Sequence, residues 1–226
     1  MQREAGEQVE AFVRAELKGV PVHTAVAEGR AAVGIAEYAA AHDTDLIMMP
    51  THGHGPFRSG LLGSVTAKVL HDVSCPVWTD AHVEDPGARA QLECRSMLCA
   101  VDLAPKNVPL IRSAANLAGH FGAKLRLVHA IQEAERRPQT RFDVEYRRFL
   151  FETAQKELQA MQAEAGTALE ICIEGGSVAK VVRAVAEHHQ VDLVVIGRGV
   201  IHEPLGRLRT NTYAVIRESI CPILSW

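Results

Sequence analysis

Apolar positions along this chain fall into short runs of strand length, and these alternate with longer stretches at helical spacing. Met97-Leu98-Cys99-Ala100-Val101 is one such run, ended by Asp102 and the breaker Pro105. Leu110, Ile111, Ala114, Leu117, Ala118 and Phe121 recur at helical spacing and stop at Gly122, which predicts a helix over 110–121. A strand over 125–130 follows, then a charged stretch at 132–141, a long helix over 144–165 and a strand over 168–173. Gly175-Gly176-Ser177 opens a helix that runs to His188. Leu193-Val194-Val195-Ile196 is apolar throughout, as a parallel strand covered on both faces tends to be. A helix over 210–218 and a strand over 222–225 complete the series. Strands alternating with helices imply an α/β fold, a doubly wound parallel sheet with right-handed crossovers. Its ligand crevice would lie at the carboxyl ends of the strands, where strand order reverses.

The chain also matches itself. Residues 29–47 align without a gap against residues 176–194, at an offset of 147. Val73-Ser74-Cys75-Pro76-Val77 then matches Ser219-Ile220-Cys221-Pro222-Ile223 at an offset of 146, and the helical pattern of 5–18 faces a similar one at 152–165. Two copies of one module follow: a partial copy at 1–82 and a complete one at 95–226. Residues 83–94, with Pro86 and Gly87 among charges, form the linker. Residues 95–147 have no counterpart, so the repeat places the absent start about 52 residues upstream of Met1.

Composition narrows the classes. Hydrophobic residues make up 47% and charged residues 23%, the balance of an ordinary globular protein, with a net charge of -3. Residues 1–85 carry 6 basic against 12 acidic side chains and the remainder 18 against 15, so no basic field calls for nucleic acid. No apolar run approaches the ~18 residues that span a bilayer, and Met1-Gln2-Arg3-Glu4 opens no signal-peptide core, so no membrane is expected. Five scattered cysteines without a C-x-x-C pair fit a reduced, cytoplasmic protein.

The candidate chemistry lies in the loop from Pro50 to Ser64. A glycine-rich turn that opens into a helix supplies unpaired N–H groups and the positive end of a helix dipole, which suits a phosphate. Ser64 can cap that helix or donate its hydroxyl to an oxygen. The same pattern also describes a plain strand-to-helix connection with a serine cap, and both readings stand on the residues alone.

Here the sequence resembles the universal stress protein family. That family's phosphate loop reads G-x-x-G, nine residues, then G followed by S or T. This chain has Pro50-x-x-Gly53, nine residues, then Gly63-Ser64-Val65. In the second copy, residues 97–102 look like the family's first strand, whose terminal aspartate approaches ribose or adenine. Residues 127–130 look like its second, whose backbone meets the adenine edge. The resemblance implies a flavodoxin-like (adenine nucleotide alpha-hydrolase-like) sheet ordered 3-2-1-4-5, with modules paired through their last strands. It also implies weak ATP or AMP binding and a role in stress response and signalling. The nucleotide-binding candidates are Gly53, His54, Gly63, Ser64 and Val65 in the first copy. In the second they are Ala100, Asp102, Ala130, Gly197, Gly199 and Thr210.

The departures carry as much weight. Pro50 stands where the loop's leading glycine would be; it has no N–H and a fixed φ. The second copy reads Gly197-Arg198-Gly199, nine residues, then Arg209-Thr210, with an arginine in place of the glycine beside the phosphates. Arg198, Arg207 and Arg209 form either a solvated basic loop or a fork toward a small anion. Neither copy holds an intact site. His52 and His54, with His42, His71 and His82, fit no familiar ligand interval and are read as solvent-facing, so no metal is expected. His129 and His189 are read as packing or surface groups, and Cys75 and Cys221 as small buried hydrophobes. No nucleophile–base pattern emerges; at most slow ATP hydrolysis is in view, and a dimeric interaction scaffold that binds no nucleotide is the rival reading. The implied strand order leaves the first copy with strand 3 near 20–27, strand 4 at 46–49 and strand 5 only. A homo-oligomer is therefore expected, through last-strand pairing and completion of the partial module; other protein partners are unknown.

Overall fold

The computed structural model describes residues 2–51, 62–80, 93–132, 141–198 and 210–226; most of the linker, the centre of the Pro50–Ser64 loop and part of the charged 132–141 stretch lie outside them. In chain order the elements are α1 (Gln2–Glu16), α2 (Ala31–Ala41), β1 (Ile47–Met49), α3 (Ser64–Asp72), β2 (Val77–Thr79), β3 (Ser96–Ala100), α4 (Val108–Phe121), β4 (Lys124–Ile131), α5 (Arg141–Ala165), β5 (Glu170–Gly175), α6 (Val178–His188), β6 (Leu193–Ile196), α7 (Thr210–Glu218) and β7 (Ile223–Ser225). A 3-10 turn at Pro105–Asn107 precedes α4.

The strands form one seven-stranded sheet ordered β1-β2-β7-β6-β3-β4-β5. Read from the β5 edge, with the strands from β3 onward counted in sequence, its first five positions are 3-2-1-4-5, the order that the resemblance implies. All pairs are parallel except β2–β7, where Val77, Trp78 and Thr79 run antiparallel against Ser225, Leu224 and Ile223. The two last strands therefore pair with each other inside the chain. β6 explains the doubly wound core most simply. Leu193 and Val195 point to the face covered by α4 and α5, while Val194 and Ile196 point to the face covered by α2, α3, α6 and α7.

With one exception, the expected helices and strands are present with shifted ends. Gly122 ends α4 at φ 64, the left-handed position that glycine occupies without strain. β5 starts two residues later than the apolar pattern predicts, because Gln162 holds the incoming chain. Its buried amide accepts from the Leu169 N–H and donates 3.1 Å to the Leu169 carbonyl.

One strand expected from the sequence is absent. Residues 20–27 are exposed and belong to no strand of the sheet. The apolar pattern there is real; a strand also needs a neighbour for its N–H and C=O groups, and among the described residues β1 lies at the sheet edge with β2 as its sole partner. Met48 at that edge is 66% exposed.

Candidate functional site

The order reversal falls between β3 and β6, and a cavity of about 180 Å³ opens there at the carboxyl ends of β3, β4 and β6. Ala100, Val101 and Asp102 from the end of β3, His129 and Ala130 from β4, and Ile196 and Gly197 from β6 line it, with Asn211 and Thr212 of α7 closing one side. Four expected residues of the second copy, Ala100, Asp102, Ala130 and Gly197, thus converge on one crevice.

Asp102 is held in place by its own loop. Its carboxylate accepts the Ala104 N–H at 3.0 Å and a hydrogen bond from the Asn107 amide, which also donates 3.0 Å to the Asp102 carbonyl. Asn107 is buried, so this arrangement is shielded from water. Asn107 escaped the sequence reading; the signal was an asparagine midway between Pro105 and Pro109 at a helix start, where such a side chain ties down the preceding turn. The His129 ring N–H at Nδ1 donates 3.0 Å to the Val101 carbonyl.

Among the described residues that line the crevice, Asp102 is the one formally charged side chain. A carboxylate accepts from ligand hydroxyl or amino groups and repels phosphate. The opposite wall is the first turn of α7, whose leading N–H groups have no intrahelical partner. Thr212 donates 3.5 Å to the Gly197 carbonyl and ties that turn to the end of β6. A Cβ at position 197 would meet Leu110 at 3.4 Å and Asn107 at 3.6 Å, ordinary contacts, so packing alone does not demand glycine there.

Arg198 overturns both expectations for it. The side chain is buried and its guanidinium is engaged by main-chain carbonyls, so it is neither a solvated loop cation nor a fork to an anion. Its guanidinium donates to the carbonyls of Leu70 (2.9 Å), Val73 (3.3 Å) and Cys75 (2.6 Å) at the end of α3. The carboxyl end of a helix has unpaired carbonyls and a negative dipole end, and a buried cation meets both. The backbone continues the stitch: Trp226 N–H donates to the Ile196 carbonyl and Arg198 N–H to the Trp226 carbonyl.

In the first copy, Gly53 and His54 lie outside the described residues, as do Gly199, Arg207, Arg209 and the side chain of Thr210. Gly63 occupies the N-cap of α3, and Ser64 is the first helical residue, so the expected serine cap is corrected to a glycine one. Gly63 N–H donates 2.8 Å to the Thr51 carbonyl, and Thr66 donates 2.9 Å to the Pro50 carbonyl, closing the base of the loop. Ser64 and Val65 are exposed at this helix start. The antiparallel β2–β7 seam puts the carboxyl end of β1, and with it the start of α3, at the opposite end of the sheet from the crevice. The two half-sites do not complete one another.

Among known proteins, residues 1–79 and 93–225 match the model of the universal stress protein family. A universal stress protein of Methanocaldococcus jannaschii is 43% identical over 63 residues, which is 28% of this chain and 37% of that relative's length. A Pseudomonas aeruginosa protein of unknown function superposes over 100% of this chain and 77% of its own, at TM-score 0.69 and 19% identity. An Archaeoglobus fulgidus universal stress protein superposes over 99% and 76%, at TM-score 0.64 and 23% identity. Likenesses at this level of identity speak for the fold.

Proposed function

The chain belongs to the universal stress protein family, and from that premise we propose that it is an adenine-nucleotide-responsive stress protein whose second copy receives the nucleoside end of AMP or ATP. The division into a partial module at 1–82 and a complete one at 95–226 is part of this reading. The observation that carries it is the crevice at the β3/β6 reversal, with the Asp102 carboxylate fixed by Ala104 and Asn107 and aimed at hydroxyl or amino hydrogens. At about 180 Å³ the crevice is smaller than the roughly 300–1,000 Å³ of sites that enclose a whole ligand. It suits a base or a ribose, and binding is accordingly weak. Five cysteines without a disulfide support a reducing, cytoplasmic setting.

The withdrawal of Arg198 from the crevice favours a second reading, an interaction scaffold that binds no nucleotide. Chromatography of ligand released from the purified protein, followed by calorimetry with AMP and ATP, separates the two. Asp102→Asn should weaken AMP binding about tenfold, since a hydrogen bond to a charged group contributes roughly 1.5–3 kcal/mol. Equal affinity in the variant would remove Asp102 from the site, and no binding by the parent chain would leave the scaffold.

A further inference from the structure

The pole of the sheet opposite the crevice carries a second cluster of chemistry-bearing side chains. Glu170 and Cys172 stand two residues apart on β5 and so face the same side of the sheet. His189, the C-cap residue of α6, sits across from them. A carboxylate oxygen, the thiol sulfur and a ring nitrogen of these three residues all lie within 4.8 Å of one another. The Cys172 Sγ to His189 Nε2 distance is 3.8 Å. At a tetrahedral zinc, with Zn–S about 2.3 Å and Zn–N about 2.0–2.1 Å, the sulfur–nitrogen separation is about 3.6 Å, so this pair needs to close by only a few tenths of an ångström.

We infer that Glu170, Cys172 and His189 form a three-ligand site for a borderline divalent transition ion of the Zn²⁺ class, with water in the fourth position. Sulfur and imidazole together select against Mg²⁺ and Ca²⁺, which take oxygen ligands. The scaffold is already ordered. His189 N–H donates 3.1 Å to the Val185 carbonyl, and its own carbonyl accepts 3.2 Å from the Ser96 hydroxyl. Ser96 N–H is in turn held 2.9 Å from the Asp192 carboxylate. Lys124 and Arg126 both reach the same oxygen of Glu170, Oε2, at 2.9 and 3.0 Å, and so fix the carboxylate in place. Thiolate and carboxylate together neutralise the two charges of the ion within the site. Cys172 and His189 also line an open groove of about 710 Å³, by which water reaches the fourth position. Binding forms a metal–sulfur bond and releases the thiol proton to solvent.

The test is a titration of the chelator-treated, reduced 226-residue chain with Co²⁺ alone, read by absorption. The expected result is a thiolate-to-cobalt charge-transfer band with tetrahedral-intensity d–d bands, saturating at one ion per chain and bleached by Zn²⁺. Cys172→Ser should abolish the charge-transfer band, whereas Cys75→Ser should leave it. Glu170→Gln and His189→Gln should each weaken Co²⁺ binding tenfold or more, with circular dichroism unchanged. Absence of the band in the parent chain overturns the assignment whatever the variants do. So does a band that survives Cys172→Ser, which would place the metal on another cysteine.

Discussion

The two copies of the repeat agree where the backbone is local and part company where it needs neighbours. Asp43 and Gln190, 147 residues apart, both sit in the left-handed region at φ 46 and 48, and the next N–H in each copy bonds back five residues, Thr44 to Ala39 and Val191 to Ala186. Gly29 and Gly176 are likewise matched at φ 115 and 150. Yet a Cβ on Gly176 would meet Val181 at 3.3 Å, whereas one on Gly29 would meet nothing within 4 Å. α6 buries Ala179, Val181, Val182, Val185 and Ala186; its counterpart α2 buries only Ala32 and Ala39. His189 lies against Cys172, while His42 stacks on Tyr38 of its own helix at 3.9 Å. Sequence similarity carries turns and caps from one copy to the other. Burial comes only with the β3 and β4 layer, which the first copy does not have.

The largest effect should come from testing that burial directly. Leu158 of α5 is fully buried among Ile111, Leu127 and their neighbours, whereas Phe12 on the corresponding helix α1 is 59% exposed. Leu158→Ala should cost about 2–5 kcal/mol in urea denaturation, through lost transfer energy and the cavity left behind. Phe12→Ala should stay within about 0.5 kcal/mol. Comparable losses would mean that α1 is packed after all and that the two copies are more alike than their exposures suggest.

Next comes the seam that joins the copies. Arg198 belongs to the second copy but satisfies carbonyls of the first, and the aligned residue Thr51 reaches across no such gap with a charge. Arg198→Met should cost about 2–3 kcal/mol, since it strips charged donors from buried carbonyls. Lysine should not rescue it, because one ammonium cannot reproduce a planar fork that spans three carbonyls. A rescue by lysine in thermal denaturation would show that only the charge at the end of α3 matters.

Much of this was legible in the sequence, for physical reasons that differ by element. Leu193-Val194-Val195-Ile196 could hardly be other than a central strand, because apolar residues on both faces need cover on both faces. Gly122 and Gly176 announced their turns, since few other residues adopt positive φ without strain. Asp102, Ala100, Ala130 and Gly197 were legible as strand-end positions of one crevice. The direction of Arg198 was not, because an arginine in a loop reads as solvated unless the partner carbonyls, more than 120 residues away in sequence, are known. The failure of 20–27 to form a strand has the same origin: pairing is a property of the neighbour. The Glu170–Cys172–His189 trio was hidden by the same rule, for only the packing of α6 against β5 brings it together.

The open edge offers a subtler probe. Among the described residues β1 is bonded on one side only, by β2, and its Met48 is exposed, whereas the corresponding strand β6 is enclosed between β7 and β3. We propose that this edge recruits a second copy of the chain, as unprotected edges do. Met48→Lys should shift light-scattering mass toward the monomer and change stability by no more than about 0.5 kcal/mol. A parent chain that is monomeric at every concentration would remove the edge as an association site.

The smallest expected effect separates the ends of the paired helices α3 and α7. Asp72 is contacted by Lys68 at 2.7 Å and His71 at 2.8 Å, while its counterpart Glu218 has Arg217 at 3.3 Å. The hydrogen bonds from Lys68 and then His71 hold the Asp72 carboxyl below its ordinary 3.8. A lowered folded value means that the stabilisation is complete above 3.8 and disappears as pH falls through the lower value. The group is largely exposed and stands at the unfavourable end of the helix dipole, so solvent and geometry reduce the effect to a few tenths of a kcal/mol. Asp72→Asn should therefore be slightly less stable than the parent at pH 7, and the two should converge as pH is taken below about 3.8. Denaturation curves at pH 7 and at pH 3 decide it. A gap that widens on acidification would mean that Asp72 acts through the helix terminus, with the Lys68 contact contributing nothing.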